Sequence, residues 1–138
     1  MEIVPIDEEY IYDHNVIISQ SDTNGIITYV NRAFCDVSLY TREELIGQPH
    51  KKLRHPDMPK ALFKNMWDTI QNGEVWHGLV KNLRKDGLYY WVDTEILPIK
   101  NENNKITGYM EAKKPASRND IKETQELYAK MLHNEQQN

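Results

Sequence analysis

Residues 54–59, with the sequence Arg-His-Pro-Asp-Met-Pro, bring an arginine, a histidine and a carboxylate side by side in the chain. Two prolines restrict the backbone of this segment. Charged groups clustered in a stiff turn bind a ligand or pair with each other. Arg54 could bind a phosphate group through two N–H groups of its guanidinium. Alternatively, it could form a surface salt bridge with Asp57 or another acid. The segment is therefore the first candidate for a binding site.

The other polar side chains of this region also have two interpretations each. Asp57 could accept hydrogen bonds from a ligand, or it could cap the helix that is predicted to begin at Met58. His55 could orient a ligand or a neighbouring side chain, although an isolated loop histidine usually lies at the surface. His50, a few residues earlier, is a similar candidate.

Sequence patterns predict five strands and several helices around this segment. Asn24-Gly25 between two β-branched runs indicates a hairpin, and Thr41 with Glu44 indicates a capping box. Strands are predicted at 16–20, 26–30, 75–83, 88–100 and 106–113. Helices are predicted at 32–37 after an N-cap at Asn31, from 41 to 46, at 58–72 and at about 120–133. The order predicts an α+β fold, a five-stranded antiparallel sheet with helices on one face.

Strand alternation predicts which side chains face the helices. Trp76 and Asn82 share one face of the third strand, and Tyr90 belongs to the matching face of the fourth. On the last strand the smaller and apolar residues Gly108, Met110 and Ala112 are expected to face inward. Asn82 would then be a buried amide that bonds either to a ligand edge or to a loop backbone. Trp76 is either a stacking wall for a flat ligand or ordinary core.

Length and composition limit the function further. At 138 residues the chain is large enough for one domain with a real core. A net charge of −4 argues against a nucleic-acid partner. The single cysteine, Cys35, excludes an internal disulfide. Without a signal peptide or a membrane-spanning run, a cytoplasmic location without membrane insertion is expected. The expected organisation is an N-terminal arm or cap at 1–15, a central domain at 16–115, and an exit helix and tail at 116–138.

Several of these motifs resemble a known family. The element order, the Asn24-Gly25 hairpin and residues 29–34, Tyr-Val-Asn-Arg-Ala-Phe, resemble a PAS sensor domain over residues 16–113. A narrower likeness is to the FAD-binding PAS domain of bacterial aerotaxis (energy-taxis) receptors. It is carried by residues 40–50, Tyr-Thr-Arg-Glu-Glu-Leu-Ile-Gly-Gln-Pro-His, and by residues 54–60, 76–78, 80–82 and 90–92.

This resemblance implies noncovalently bound FAD, no catalysis and no metal. The implied cofactor-binding residues are Asn31, His50, Arg54, His55, Asp57, Trp76, Asn82, Tyr90 and Met110. It also implies a chemoreceptor-type signalling protein or domain as partner, with recruitment to a membrane receptor and a homodimer as further options. Flavin redox states differ in ring protonation and charge, so the hydrogen bonds of Asn82 are expected to rearrange first. The sheet would then pass the change to the N-terminal arm or the exit helix.

Other functions stay open at this stage. A haem-binding gas sensor would need an axial histidine such as His50 or His55, and a cofactor-free domain would bind only protein. Light-driven adduct formation is disfavoured because His50 stands where light-sensing relatives carry a cysteine. Catalysis is disfavoured because Asp93 and Glu95, two acids on a solvated strand face, make no catalytic pair.

Overall fold

The computed structural model describes residues 3–13 and 15–137. The strands are β1 Ile17–Ser21, β2 Ile27–Val30, β3 Trp76–Leu83, β4 Tyr89–Lys100 and β5 Ile106–Lys114. The helices are α1 Arg32–Ser38, α2 Arg42–Leu45, α3 Lys60–Gln71 and α4 Arg118–Gln137, with a short 3-10 helix at His50–Leu53. No helix in the described part of the chain has both the length and the hydropathy needed to span a membrane.

One five-stranded antiparallel sheet, in the order β2-β1-β5-β4-β3, forms the centre of the domain. This confirms the predicted α+β class and its five-stranded antiparallel sheet. The helices are not all on one face, because α4 packs on Trp91, which points away from the face that carries Thr94 and meets α3. Directly paired residues of neighbouring strands point to the same face. Ile96 pairs with Glu111, and Thr94 pairs with Lys113. The pairing therefore fixes which side chains of β5 stand beside those of β4.

Local sequence signals account for the two short helices. Asn31 caps α1 by accepting a hydrogen bond from the backbone N–H of Phe34 at 3.1 Å. Thr41 and Glu44 form the predicted capping box at the start of α2. Both predicted N-termini are confirmed.

The start of α3 differs from the prediction. The helix begins at Lys60 rather than Met58, and Asp57 does not cap it. Pro59 occupies the N-cap position, which leaves the first amides without a local side-chain partner. Glu135 of α4 accepts hydrogen bonds from the backbone N–H groups of Lys60 and Ala61, at 3.1 and 2.9 Å. The cap is therefore supplied by a residue about 75 positions away.

Helix α4 and the N-terminal arm both lie on the domain. Tyr128 of α4 is buried, its ring packs 6.2 Å from that of Trp91, and its hydroxyl donates to the Leu79 carbonyl oxygen at 2.7 Å. The arm pairs with β4, because the Tyr10 N–H donates to the Tyr89 carbonyl oxygen at 2.8 Å. Arm and helix also meet in the ion pair between Glu9 and Arg118. Both segments that were expected to transmit a signal thus contact the sheet.

The predicted inward face of β5 is wrong. Tyr109, Glu111 and Lys113 face α3, whereas Met110 lies on the opposite face, paired with Leu97. The prediction assumed that the apolar residues would face inward. Here the inward face carries charged side chains that are buried because they pair with each other.

Candidate functional site

A cavity of about 430 Å³ lies between the sheet and α3. Its volume falls within the roughly 300–1,000 Å³ typical of ligand sites. The apolar lining comes mainly from α3 and the sheet: Ile26, Phe63, Met66, Trp67, Ile70, Trp76, Val80, Ile96 and Tyr109. The polar lining is Ser21, Asn24, His50, Lys51, Arg54, Asn82, Thr94, Glu111 and Lys113, with Gly25 and Pro49 completing the wall. An apolar slot with convergent polar groups suits a flat, amphipathic ligand.

Asn82 is buried in the wall of this cavity, with 2% of its surface exposed. Its amide N–H donates to the Leu53 carbonyl oxygen at 3.2 Å, and its carbonyl oxygen accepts from Lys113 Nζ at 3.3 Å. A primary amide has two N–H donors and two acceptor lone pairs. Asn82 therefore bonds to a loop backbone, as one interpretation expected, and keeps one donor and one lone pair for a ligand.

A network of charged side chains surrounds Asn82. The Glu111 carboxylate lies 3.0 Å from His50 Nε2 and 4.0 Å from Lys113 Nζ. Burial alone would raise the pKa of Glu111, but its electrostatic interactions with His50 and Lys113 and the hydrogen bond to His50 outweigh burial and lower the pKa to about 2. Burial lowers the pKa of Lys113, against the opposing effect of Glu111.

Arg54 contributes an unpaired guanidinium to the cavity. The group stacks on the Phe63 ring at 3.7 Å and makes no hydrogen bond to another described residue. Burial lowers its pKa, while the nearby Glu111 acts in the opposite direction. An arginine remains charged even so. Its N–H donors are therefore available to an anionic group of a ligand.

Thr94 has a hydroxyl group that lacks a partner among the described residues. The residue is 1% exposed, lines the cavity, and its Oγ1 makes no hydrogen bond. Leaving such a group unpaired costs about 1–3 kcal/mol, so the Thr94 hydroxyl can bond to a molecule that enters the cavity. The donor and acceptor groups of the cavity thus fit a hydrogen-bonding cofactor.

Trp76 lines the cavity against a glycine. Its ring lies over Gly78, where a Cβ atom would come within 2.6 Å of the ring. The indole Nε1–H donates to Asn65 Oδ1 at 3.1 Å. Glycine at this position allows the ring to lie flat along the strand, and the hydrogen bond fixes its orientation. Trp76 is both core and cavity wall.

Four of the nine predicted site residues line the cavity: His50, Arg54, Trp76 and Asn82. Met110 does not, as described above. Asn31 does not line the cavity. Its side-chain oxygen caps α1, and its side-chain N–H donates to the Val16 carbonyl oxygen. Tyr90 shares the inward strand face but is enclosed in the core beside Tyr12.

His55 and Asp57 also lie outside the cavity lining. The backbone of this segment pairs with β3, since Arg54 bridges to Asn82 and the His55 N–H donates to the Lys81 carbonyl oxygen. Neighbouring residues of an extended segment point in opposite directions. His55 therefore packs against Tyr89, where burial and the nearby Lys81 lower its pKa. Asp57 is exposed and pairs with Lys81 at 3.6 Å.

Sequence reasoning missed six polar residues of the cavity lining: Ser21, Asn24, Lys51, Thr94, Glu111 and Lys113. A signal for two of them was present. Glu111 and Lys113 are oppositely charged and stand two positions apart on a predicted strand, so they share one face. Thr94 is four positions from Tyr90 on the same strand, so alternation places it on the inward face, but its lack of a partner among the described residues depends on the packing around it.

Comparison with known proteins agrees with this fold. The PAS fold family profile matches residues 27–111, which is more than half of the chain. The chain therefore belongs to the PAS fold family. It is 46% identical over 116 residues to the aerotaxis receptor of Escherichia coli strain K12, covering 84% of this chain and 23% of the receptor. The domain is thus of the aerotaxis-receptor type.

Two further relatives extend the comparison. The nitrogen fixation regulatory protein of Klebsiella pneumoniae is 32% identical over 96 residues, covering 70% of this chain and 19% of that protein. The solved PAS domain of a protein from Colwellia psychrerythraea has a TM-score of 0.68 at 25% identity, covering 75% of this chain and 87% of that one. The chain spans less than a quarter of the length of the curated relatives described here.

Proposed function

We propose that this domain binds FAD in the cavity and passes the redox state of the flavin to a chemotaxis-type signalling partner. The observation that carries the proposal is the cavity of about 430 Å³ with the buried, unpaired hydroxyl of Thr94 in its wall. The likeness to an aerotaxis receptor supports the same function. A sensor role also agrees with the site, because charged and amide side chains in its lining could bind a ligand.

Different residues of the cavity would contact the apolar ring and the polar edge of a flavin. The isoalloxazine ring is flat and carries donors and acceptors along one edge. Trp76, Val80 and Ile96 offer apolar surface for the ring. Asn82 retains one donor and one acceptor, and Thr94 retains a hydroxyl, for the polar edge. Binding would satisfy buried groups that are otherwise unpaired.

Arg54 would hold the pyrophosphate of FAD. Its guanidinium has N–H donors that no described residue uses, and it is held in place by stacking on Phe63. Bidentate hydrogen bonds between arginine and phosphate are strong and directional. Lys51, exposed at the edge of the same cavity, adds positive charge. This end of the cavity therefore favours a flavin that carries phosphate over riboflavin, and the likeness to an aerotaxis receptor supports FAD.

Two sets of contacts connect the cavity to the rest of the domain. Asn82 is joined through its side chain to Leu53 and through its backbone to Arg54, so it links β3 to the loop before α3. Helix α3 lines the cavity and receives its N-terminal cap from Glu135 of α4. A change in the hydrogen bonds of Asn82 would therefore reach the exit helix. The partner would respond to the position of that helix.

The absorption spectrum of the purified protein tests this proposal. We expect the bands of oxidised flavin, their loss on reduction, and release of FAD rather than FMN when the protein is heated. A Soret band would replace the proposal with a haem sensor. A colourless protein that also fails to bind added FAD would leave a protein-interaction domain.

A further inference from the structure

Glu111 is the acidic side chain of the cavity. Of the described residues that line it, Glu111 alone is acidic, whereas His50, Lys51, Arg54 and Lys113 are basic. Its side chain is only 14% exposed. A carboxylate in such a position requires positive partners. The cavity therefore contains one buried negative charge among several positive ones.

The partners of Glu111 come from different elements. His50 Nε2, in the 3-10 helix, lies 3.0 Å from one carboxylate oxygen and also 3.2 Å from Ser19 Oγ of β1. Lys113 Nζ, two residues along β5, lies 4.0 Å from the other oxygen. That ion pair is loose, because Lys113 also donates to Asn82. Glu111 thus acts on the same lysine that contacts the amide predicted to meet the flavin.

We propose that Glu111 sets the charge balance of the cavity and thereby lowers the reduction potential of the flavin bound there. The inference rests on the proposed function, since it requires a flavin in the cavity. A negative group close to a redox centre opposes the gain of further negative charge, and a positive group favours it. Glu111 also neutralises part of the charge of Lys113, so its removal leaves the cavity more positive.

The redox step adds charge to the cavity. In a titration with dithionite, two electrons from dithionite and one proton from water enter the bound flavin, so the flavin gains one negative charge. The carboxylate of Glu111 disfavours this product, and Lys113 favours it. The two residues should therefore shift the potential in opposite directions when each is neutralised.

The test is the midpoint potential of the FAD-bound protein, measured anaerobically with a reference dye. Glu111→Gln removes the charge and nearly preserves the shape. Glu95→Gln is the matched control, because Glu95 lies on the neighbouring strand, directly paired with Ala112, and is exposed. We expect Glu111→Gln to raise the potential by about 30 mV or more, a tenfold change for a two-electron couple. The control should remain within a third of that shift.

A second variant keeps the inference testable if Glu111→Gln does not fold. Lys113→Met removes the opposing charge and should lower the potential. A potential that is unchanged or lowered in folded Glu111→Gln overturns the inference, and so does an unchanged or raised potential in Lys113→Met. If the parent protein binds FAD and only these shifts are missing, the inference fails while the proposed function stands. If the parent protein binds no flavin, both fail together.

Discussion

Replacing Thr94 with valine should stabilise the flavin-free protein while weakening its ligand binding. Valine has nearly the shape of threonine but no hydroxyl, so Thr94→Val removes a buried oxygen that has no partner among the described residues. The penalty for such an oxygen is about 1–3 kcal/mol. Relaxation of the surrounding side chains reduces this penalty in the parent protein. We therefore expect Thr94→Val to raise the free energy of unfolding by only about 1 kcal/mol.

The same substitution should reduce the affinity for FAD. One lost hydrogen bond contributes about 0.5–1.5 kcal/mol, which corresponds to a decrease in affinity of up to about tenfold. Urea denaturation of the flavin-free protein measures the first effect, and quenching of FAD fluorescence measures the second. Thr28→Val on β2 is the control, because Thr28 is exposed and should change stability by less than about 0.5 kcal/mol.

The reasoning fails if Thr94→Val lowers the stability of the flavin-free protein while the control leaves it unchanged. It also fails if Thr94→Val binds FAD as tightly as the parent. The first result would show that the hydroxyl of Thr94 stabilises the fold, and the second would show that it makes no bond to the ligand.

Three further predictions follow from single contacts. Because the folded-state pKa of Glu111 is lowered from 4.5 to about 2, its ionised form contributes stability above pH 4.5, up to about 3 kcal/mol. This contribution is lost as the pH falls from 4.5 towards 2, so acid unfolding of Glu111→Gln should show a weaker pH dependence in that range than the parent. Arg54→Lys should weaken FAD at least tenfold but leave riboflavin unchanged, by titration calorimetry; equal losses would exclude a phosphate contact. Glu135→Ala should speed hydrogen exchange of the backbone amides in the first turn of α3, since it removes both hydrogen bonds that cap this helix. Unchanged exchange would show that the cap does not stabilise the first turn.

Elements with local signals could be predicted from the sequence. The Asn24-Gly25 turn, the cap at Asn31 and the capping box at Thr41 each depend on residues within four positions, and all three are present. The start of α3 could not be predicted in the same way. Its cap is Glu135, which comes from the far end of the chain.

The site was predictable only in part, because its geometry depends on strand pairing. Strand alternation correctly placed Trp76 and Asn82 on one face of β3. It cannot decide which face of β5 is buried, because one face of β5 carries apolar residues and the other carries charged residues that pair with each other. Met110 was chosen for its apolar side chain, and Glu111 was missed. Arg54 and His55 are adjacent in sequence, yet only Arg54 enters the cavity, since pairing with β3 turns His55 the other way.

The most direct test of the central claim is a titration of the flavin-free protein with FAD. We predict saturable binding of one FAD per chain, and loss of that binding in Val80→Trp, whose larger ring would fill the cavity while circular dichroism confirms the fold. Absence of saturable binding by the parent, or equal binding by folded Val80→Trp, would contradict the claim that this cavity holds the cofactor.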